Sequence, residues 1–119
     1  MDIHCKRAYE PATAADGQRF LEDRLWPRGV SRDALQAQWL KDVAPSDALR
    51  RWFDHRIERW DEFRQRYRDE LAAHPQRLAP LRDALESGPI TLVYAARDHE
   101  HNQAVVLREY LLAHPRRAQ

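Results

Sequence analysis

Pro89-Ile90-Thr91-Leu92-Val93-Tyr94-Ala95-Ala96 is the stretch whose reading decides the fold. It is almost continuously apolar and favours β structure. Ser87-Gly88 stops whatever precedes it and the polar residues 97–101 form the turn that follows. A strand with one wet face alternates polar and apolar side chains. One that does not alternate is covered on both faces, as the central strand of a parallel sheet is.

Working outward, Gln103 to Ala113 has the spacing of a helix with Ala104, Leu107, Tyr110 and Leu111 inward, and residues 115–119 read as a frayed tail. Upstream, Gln76 to Glu86 is helical with Leu78, Leu81 and Leu85 inward, and Pro80 makes that helix start late or bend. Leu49, Trp52, Phe53, Ile57, Trp60, Phe63, Tyr67 and Leu71 recur at helical spacing after a cap at Ser46. Two helices broken near Asp54 to Arg56 are favoured over one, the second ending by His74-Pro75.

The first third of the chain is extended. Residues 2–9 read as a first strand closed by Glu10-Pro11, and 12–17 as a short connection stopped by Gly17. Residues 18–25 read as a second strand with more charge than a strand buried on both faces tolerates, so its charges need partners. Trp26-Pro27-Arg28-Gly29 ends it, Ser31 caps a short helix to about Gln36, and residues 39–43 are extended or irregular. The fold expected is α/β: one domain over residues 1–119, a three-stranded sheet and about five helices. The link between the first two strands is short for a parallel pair, yet parallel remains the first choice.

At 119 residues the chain can enclose a core without cross-links. Cys5 is the single cysteine, so no internal disulfide forms, and its place in a strand suits a buried, inert thiol. No apolar run of about 18 residues and no secretory pattern is present, which points to a cytoplasmic protein without a membrane partner. The 20 basic and 19 acidic residues give a net charge of +1, so nucleic acid has no global electrostatic attraction here.

Several strings of this sequence together resemble the YeaO-like family, domain of unknown function 488. They are Lys6-Arg7, Asp16-Gly17, Asp23-Arg24-Leu25-Trp26-Pro27-Arg28-Gly29, Trp39-Leu40-Lys41-Asp42, Ala44-Pro45, Arg51-Trp52-Phe53, and Tyr94-Ala95-Ala96 with His101-Asn102 following. The resemblance spans nearly the whole chain, and the seven consecutive residues around Trp26 are its most specific part. It implies a compact cytosolic bacterial or archaeal α/β domain and carries over no catalytic role. More distant members place cysteines in and after their last strand, where this chain has Ala95 and other non-thiol residues, so thiol chemistry there is not implied.

In open α/β sheets ligands bind outside the carboxyl ends of the strands. That rule selects the Asp23 to Gly29 turn and the loop after Tyr94. Arg24 and Arg28 can grip a phosphate or carboxylate, with Trp26 as a stacking wall; the plainer alternative is internal ion pairs with Trp26 in the core. Lys41, Tyr94 and Asn102 are expected to contribute, and Asp23 is the candidate acid or base if chemistry occurs. Asp98-His99-Glu100-His101-Asn102 is better read as helix capping than as a metal site, since His99 and His101 would point roughly 200 degrees apart on a helix. No cofactor is indicated.

The leading expectation is therefore an anionic small-molecule site at the C-terminal edge of the sheet, enzymatic or not. The alternative is a non-enzymatic interaction or regulatory module that meets a protein or nucleic-acid partner through its Arg-rich helices. Acidic residues three or four apart from those arginines favour a solvated face instead. A homodimer through the aromatics of residues 52–67 is a further possibility.

Overall fold

The computed structural model describes residues 2–115. It is an α/β structure with four parallel strands: β1 (Ile3–Arg7), β2 (Gln18–Leu21), β3 (Gln38–Trp39) and β4 (Ile90–Tyr94). Their spatial order is β1-β4-β2-β3. The expected central strand is central and fully buried. The strand beyond the three expected is β3, two residues long, which overlaps the stretch expected to be extended or irregular only at Trp39 and lies at the sheet edge.

The five helices are α1 (Arg32–Leu35), α2 (Asp47–Phe53), α3 (Trp60–Ala73), α4 (Ala79–Ser87) and α5 (Gln103–Ala113). Ser31, Ser46 and Asn102 cap α1, α2 and α5 by accepting a hydrogen bond from the amide three residues on. The break between α2 and α3 falls where it was expected, with Asp54 and His55 in the left-handed region at φ 49° and 53°. Pro80 sits in the first turn of α4, where its missing N–H leaves no bond unmade, and a 3-10 turn at Pro75–Leu78 precedes it. Most of the tail expected at 115–119 lies outside the described residues.

The short link between β1 and β2 ceases to be a difficulty once the strand order is seen, because the two strands are not neighbours. Each pairs with β4, Cys5 and Phe20 flanking Leu92 from opposite sides. Segment 8–17 crosses β4 on one face and is tied down by Thr91, whose hydroxyl donates to the Asp16 carbonyl at 2.7 Å. The strands are also shorter than expected, β2 ending at Leu21 instead of residue 25.

Alternation along the strands sends Ile3, Phe20, Ile90, Leu92 and Tyr94 into the main core, shared with α2 to α5. Leu21 and Val93 face the other way and pack with Ala8, Leu35, Trp26 and Trp39. That second face also holds Arg19, 6 % exposed, whose guanidinium donates to the Leu35 carbonyl (2.8 Å) and to Asp16 (2.7 Å). Among the described residues no helix is long and apolar enough to cross a membrane.

Candidate functional site

A cleft of about 770 Å³ opens at the C-terminal edge of the sheet, a volume ordinary for a small-molecule site. Its walls come from the turns after β1, β2 and β4, the end of α2 and the start of α5. Tyr9, Asp23, Arg24, Ala95 and Ala96 lie just beyond the strand ends, and Asn102 and Gln103 begin the helix.

The Asp23 to Gly29 turn is held by its own backbone and by two tryptophans. The Trp39 indole donates to the Asp23 carbonyl (2.7 Å) and the Trp26 indole to that of Val30 (2.6 Å), and the two rings meet edge to face with centroids 5.3 Å apart. Arg24 Nε donates to the Pro45 carbonyl at 2.9 Å, and the Tyr9 hydroxyl to the Arg28 carbonyl at 3.0 Å. Among the ion pairs of the described residues none involves Asp23 or Arg24, so the plainer alternative of internal ion pairs is not what holds the turn. The turn thus presents Asp23, Arg24, Trp26 and Arg28 to one cleft.

Asp23 is half-buried, and burial pushes its carboxyl above the usual range despite the amides of Leu25 and Arg24 and the nearby side chains of Arg50 and His55. Beside it in sequence, Glu22 is 0 % exposed and neither carboxyl oxygen has a hydrogen-bond partner. Burial first, and Asp23 second, push its carboxyl well above the usual range. A group whose pKa rises on folding contributes stability at low pH that is lost as pH climbs above its unfolded value of 4.5. Glu22→Met removes the orphaned carboxyl at similar volume. It is expected to raise stability at pH 7 by about 1–3 kcal/mol, with a gain that shrinks toward pH 4, measured by urea titration at both pH values.

Asn102 lines the cleft while capping α5, its Oδ1 accepting from the Val105 amide (3.1 Å) and its Nδ2 donating to the Asp98 carbonyl (2.9 Å). Asp98 accepts from the amides of Glu100 and His101 and meets the His101 ring at 2.9 Å, so the acidic loop is occupied in shaping the helix start. Among the described residues no group of three or more His, Cys, Asp or Glu side chains gathers as a metal cage requires.

Two of the anticipated site residues lie elsewhere. Tyr94 shares the face of Ile90 and Leu92, so it points into the helical core and bonds His99 through its hydroxyl at 2.6 Å. Lys41 starts a 3-10 turn and lays its ammonium over the Trp39 ring, 4.0 Å from the centroid, beside a separate pocket at the β3 edge. Three others were not singled out as site residues from the sequence: Arg50 and Arg51 at the end of α2, and Gln103. The arginines are spaced like any solvated helix face, and only the packing of α2 turns them to the cleft.

Arg50 and Arg51 both pair with Asp47, at 2.6 and 3.0 Å. Arg50 Nε and Gln103 Nε2 are nevertheless buried donors without an acceptor, and both residues line this cleft. Along α3 the arginines are also engaged within the chain, although Arg64 Nε is likewise a buried donor without an acceptor. Arg64 and Arg68 meet Glu109, Arg66 meets Glu62, and Arg59 and Arg66 both lie over the Trp52 ring. Phe53, Phe63 and Tyr67 are buried and Trp52 and Trp60 half-buried, leaving Ile57 as the exposed large apolar residue of that stretch. Cys5 is half-buried where a buried thiol was expected: its thiol donates to the Ala104 carbonyl, and burial, then Glu22, push it up to about 12.

A family profile described as "Inactive DUF488-N3 subclade" matches residues 2–119. The uncharacterized protein YeaO of Escherichia coli is 42% identical over 112 residues, covering 93% of this chain and 97% of YeaO. The uncharacterized protein Rv3073c of Mycobacterium tuberculosis is 42% identical over 110 residues, 92% of each chain. No solved structure matches the chain significantly.

Proposed function

The chain belongs to the DUF488 family, and on that premise we propose that it is a binding domain without turnover, holding an anionic small molecule at the C-terminal edge of its sheet. The observation that carries the reading is the pair of buried donors without acceptors, Arg50 Nε and Gln103 Nε2, in the same cleft as Arg24 and Arg28. Each orphaned donor costs about 1–3 kcal/mol in the folded protein, a cost that turning the two side chains onto an acceptor-rich ligand removes. The guanidinium groups add charge-assisted bonds. The description of the subclade as inactive favours binding over catalysis, and Asp23 then serves as a ligand contact instead of an acid or base.

Thermal melts against phosphate esters, small carboxylates and neutral analogues test the reading. A ligand at about a hundred times its dissociation constant adds about 2.7 kcal/mol, which raises the midpoint of a domain this size by roughly 10 °C. Anionic ligands are expected to produce that rise in the wild type and to lose most of it in Arg50→Gln and Arg28→Ala. A rise of equal size with neutral analogues, or one untouched by both substitutions, would contradict the proposal.

A further inference from the structure

Asp23 is out of place in a site built only to hold negative charge. Its carboxyl lies in a cleft walled by Arg24, Arg28, Arg50 and Arg51, yet among the described residues it forms no ion pair with any of them. Arg24 is held by Pro45, and Arg50 and Arg51 by Asp47. A half-buried carboxyl facing a ligand that offers only oxygen acceptors would repel it when ionised. The amides of Leu25 and Arg24 already reach this carboxyl, and the side left facing the cleft is matched by a ligand that brings a hydrogen-bond donor to it. A hydroxyl meets either protonation state, donating to the carboxylate or accepting from the acid, whereas an ammonium group meets only one.

Four arginines, two of them already sharing Asp47, suit a group with the charge and three acceptor oxygens of a phosphate monoester better than a single carboxylate. Building on the anion-binding reading, we infer that the ligand is a hydroxylated organic phosphate, its phosphate held by the arginines and its hydroxyl by Asp23. Sugar phosphates and nucleotides share this chemistry. The cleft volume of about 770 Å³ accommodates either.

Calorimetric titration with ribose 5-phosphate, adenosine 5′-monophosphate, butyl phosphate, inorganic phosphate and the carboxylates acetate and succinate tests the inference. In the wild type, ribose 5-phosphate is expected to bind about tenfold to a hundredfold tighter than butyl phosphate, the worth of a hydrogen bond to a charged group. Asp23→Ala should abolish that gap while leaving butyl phosphate and inorganic phosphate bound as tightly or tighter, and Arg50→Gln should weaken all of them. Adenosine 5′-monophosphate binding tighter than ribose 5-phosphate identifies a nucleotide, and the reverse a sugar phosphate; either supports the inference. Equal affinity for ribose 5-phosphate and butyl phosphate overturns it and leaves the anion site standing. A gap that survives in Asp23→Ala removes Asp23 from the contact, which also overturns it. Should Asp23→Ala melt before it can be titrated, the wild-type gap decides alone. Carboxylates that bind where no phosphate does overturn the phosphate class but not the anion site, whereas binding by no anion removes both.

Discussion

Asp16→Ala is expected to cost about 3–5 kcal/mol, the largest loss from any single charge in this fold, because it leaves a buried arginine without its counter-ion. Asp16 joins Lys6 at 3.2 Å and Arg19 at 2.7 Å, and Arg19 is 6 % exposed. The same carboxyl accepts from the Thr13 amide and hydroxyl, and the Asp16 carbonyl accepts from Thr91 on the central strand. One residue therefore fastens the crossover segment to β1, β2 and β4. Burial pushes its carboxyl up, but the Thr13 amide, Lys6 and Arg19 outweigh that and hold it at about 2 against an ordinary 3.8. A pKa lowered by folding gives stability that is complete above the unfolded value and lost as pH falls through the folded one. The difference between wild type and Asp16→Ala in urea should accordingly be full near pH 6 and shrink between pH 3.8 and about 2. A difference that stays constant across that range would mean the ion pairs contribute nothing.

Gly17→Ala is expected to cost about 3 kcal/mol or more, for two reasons that a control separates. Gly17 has φ 64° and ψ −144°, a region almost reserved for glycine, and a Cβ there would stand 2.1 Å from the Pro89 carbonyl oxygen. That oxygen accepts from the Gln18 amide where β2 joins β4, so relief of the clash must open the ladder at its first bond. Gly29 also has positive φ, 78°, but open space where a Cβ would sit. Gly29→Ala should therefore cost only the dihedral penalty of about 1–2 kcal/mol. Equal losses in the two variants, measured by chemical denaturation, would show that close approach to Pro89 is not what fixes Gly17.

The parts of this fold readable from sequence are those whose cause is local. Continuous apolar character marked Ile90 to Tyr94 as the central strand, and the 3.6-residue period with Asn102 ahead of it marked α5. Pro75 and Pro80 marked where α3 must end and α4 begin. The strand order was not legible, because pairing of β1 and β2 with β4 instead of each other depends on contacts between residues far apart in the chain. β3 was missed as a strand because two residues carry no period; Trp39 is held there by pairing with Leu21.

The candidate site divides the same way. The Asp23 to Gly29 turn and Asn102 were legible from turn chemistry and from the rule that ligands gather at strand C-termini. Tyr94 was placed there as though the turn began with it, but pleating carries its ring to the opposite side from Val93 and into the helices. Arg50 reaches the cleft because the packing of α2 turns that side of the helix toward it, which its spacing in the sequence does not reveal. Glu22 met the expectation that the charges of the second strand need partners in reverse, as Arg19 finds partners for Nε and Nη1 but not Nη2, and neither Glu22 carboxyl oxygen finds one.

The central claim, an anion cleft at the C-terminal edge of the sheet, is tested most directly by following backbone amide resonances during separate titrations with inorganic phosphate, ribose 5-phosphate and a small carboxylate. The account predicts saturable shifts confined to residues 23–28, 50–55 and 101–104, with the Arg50 and Gln103 side-chain resonances moving in step. Shifts concentrated on the outer face of α3, or none at millimolar ligand, would contradict it.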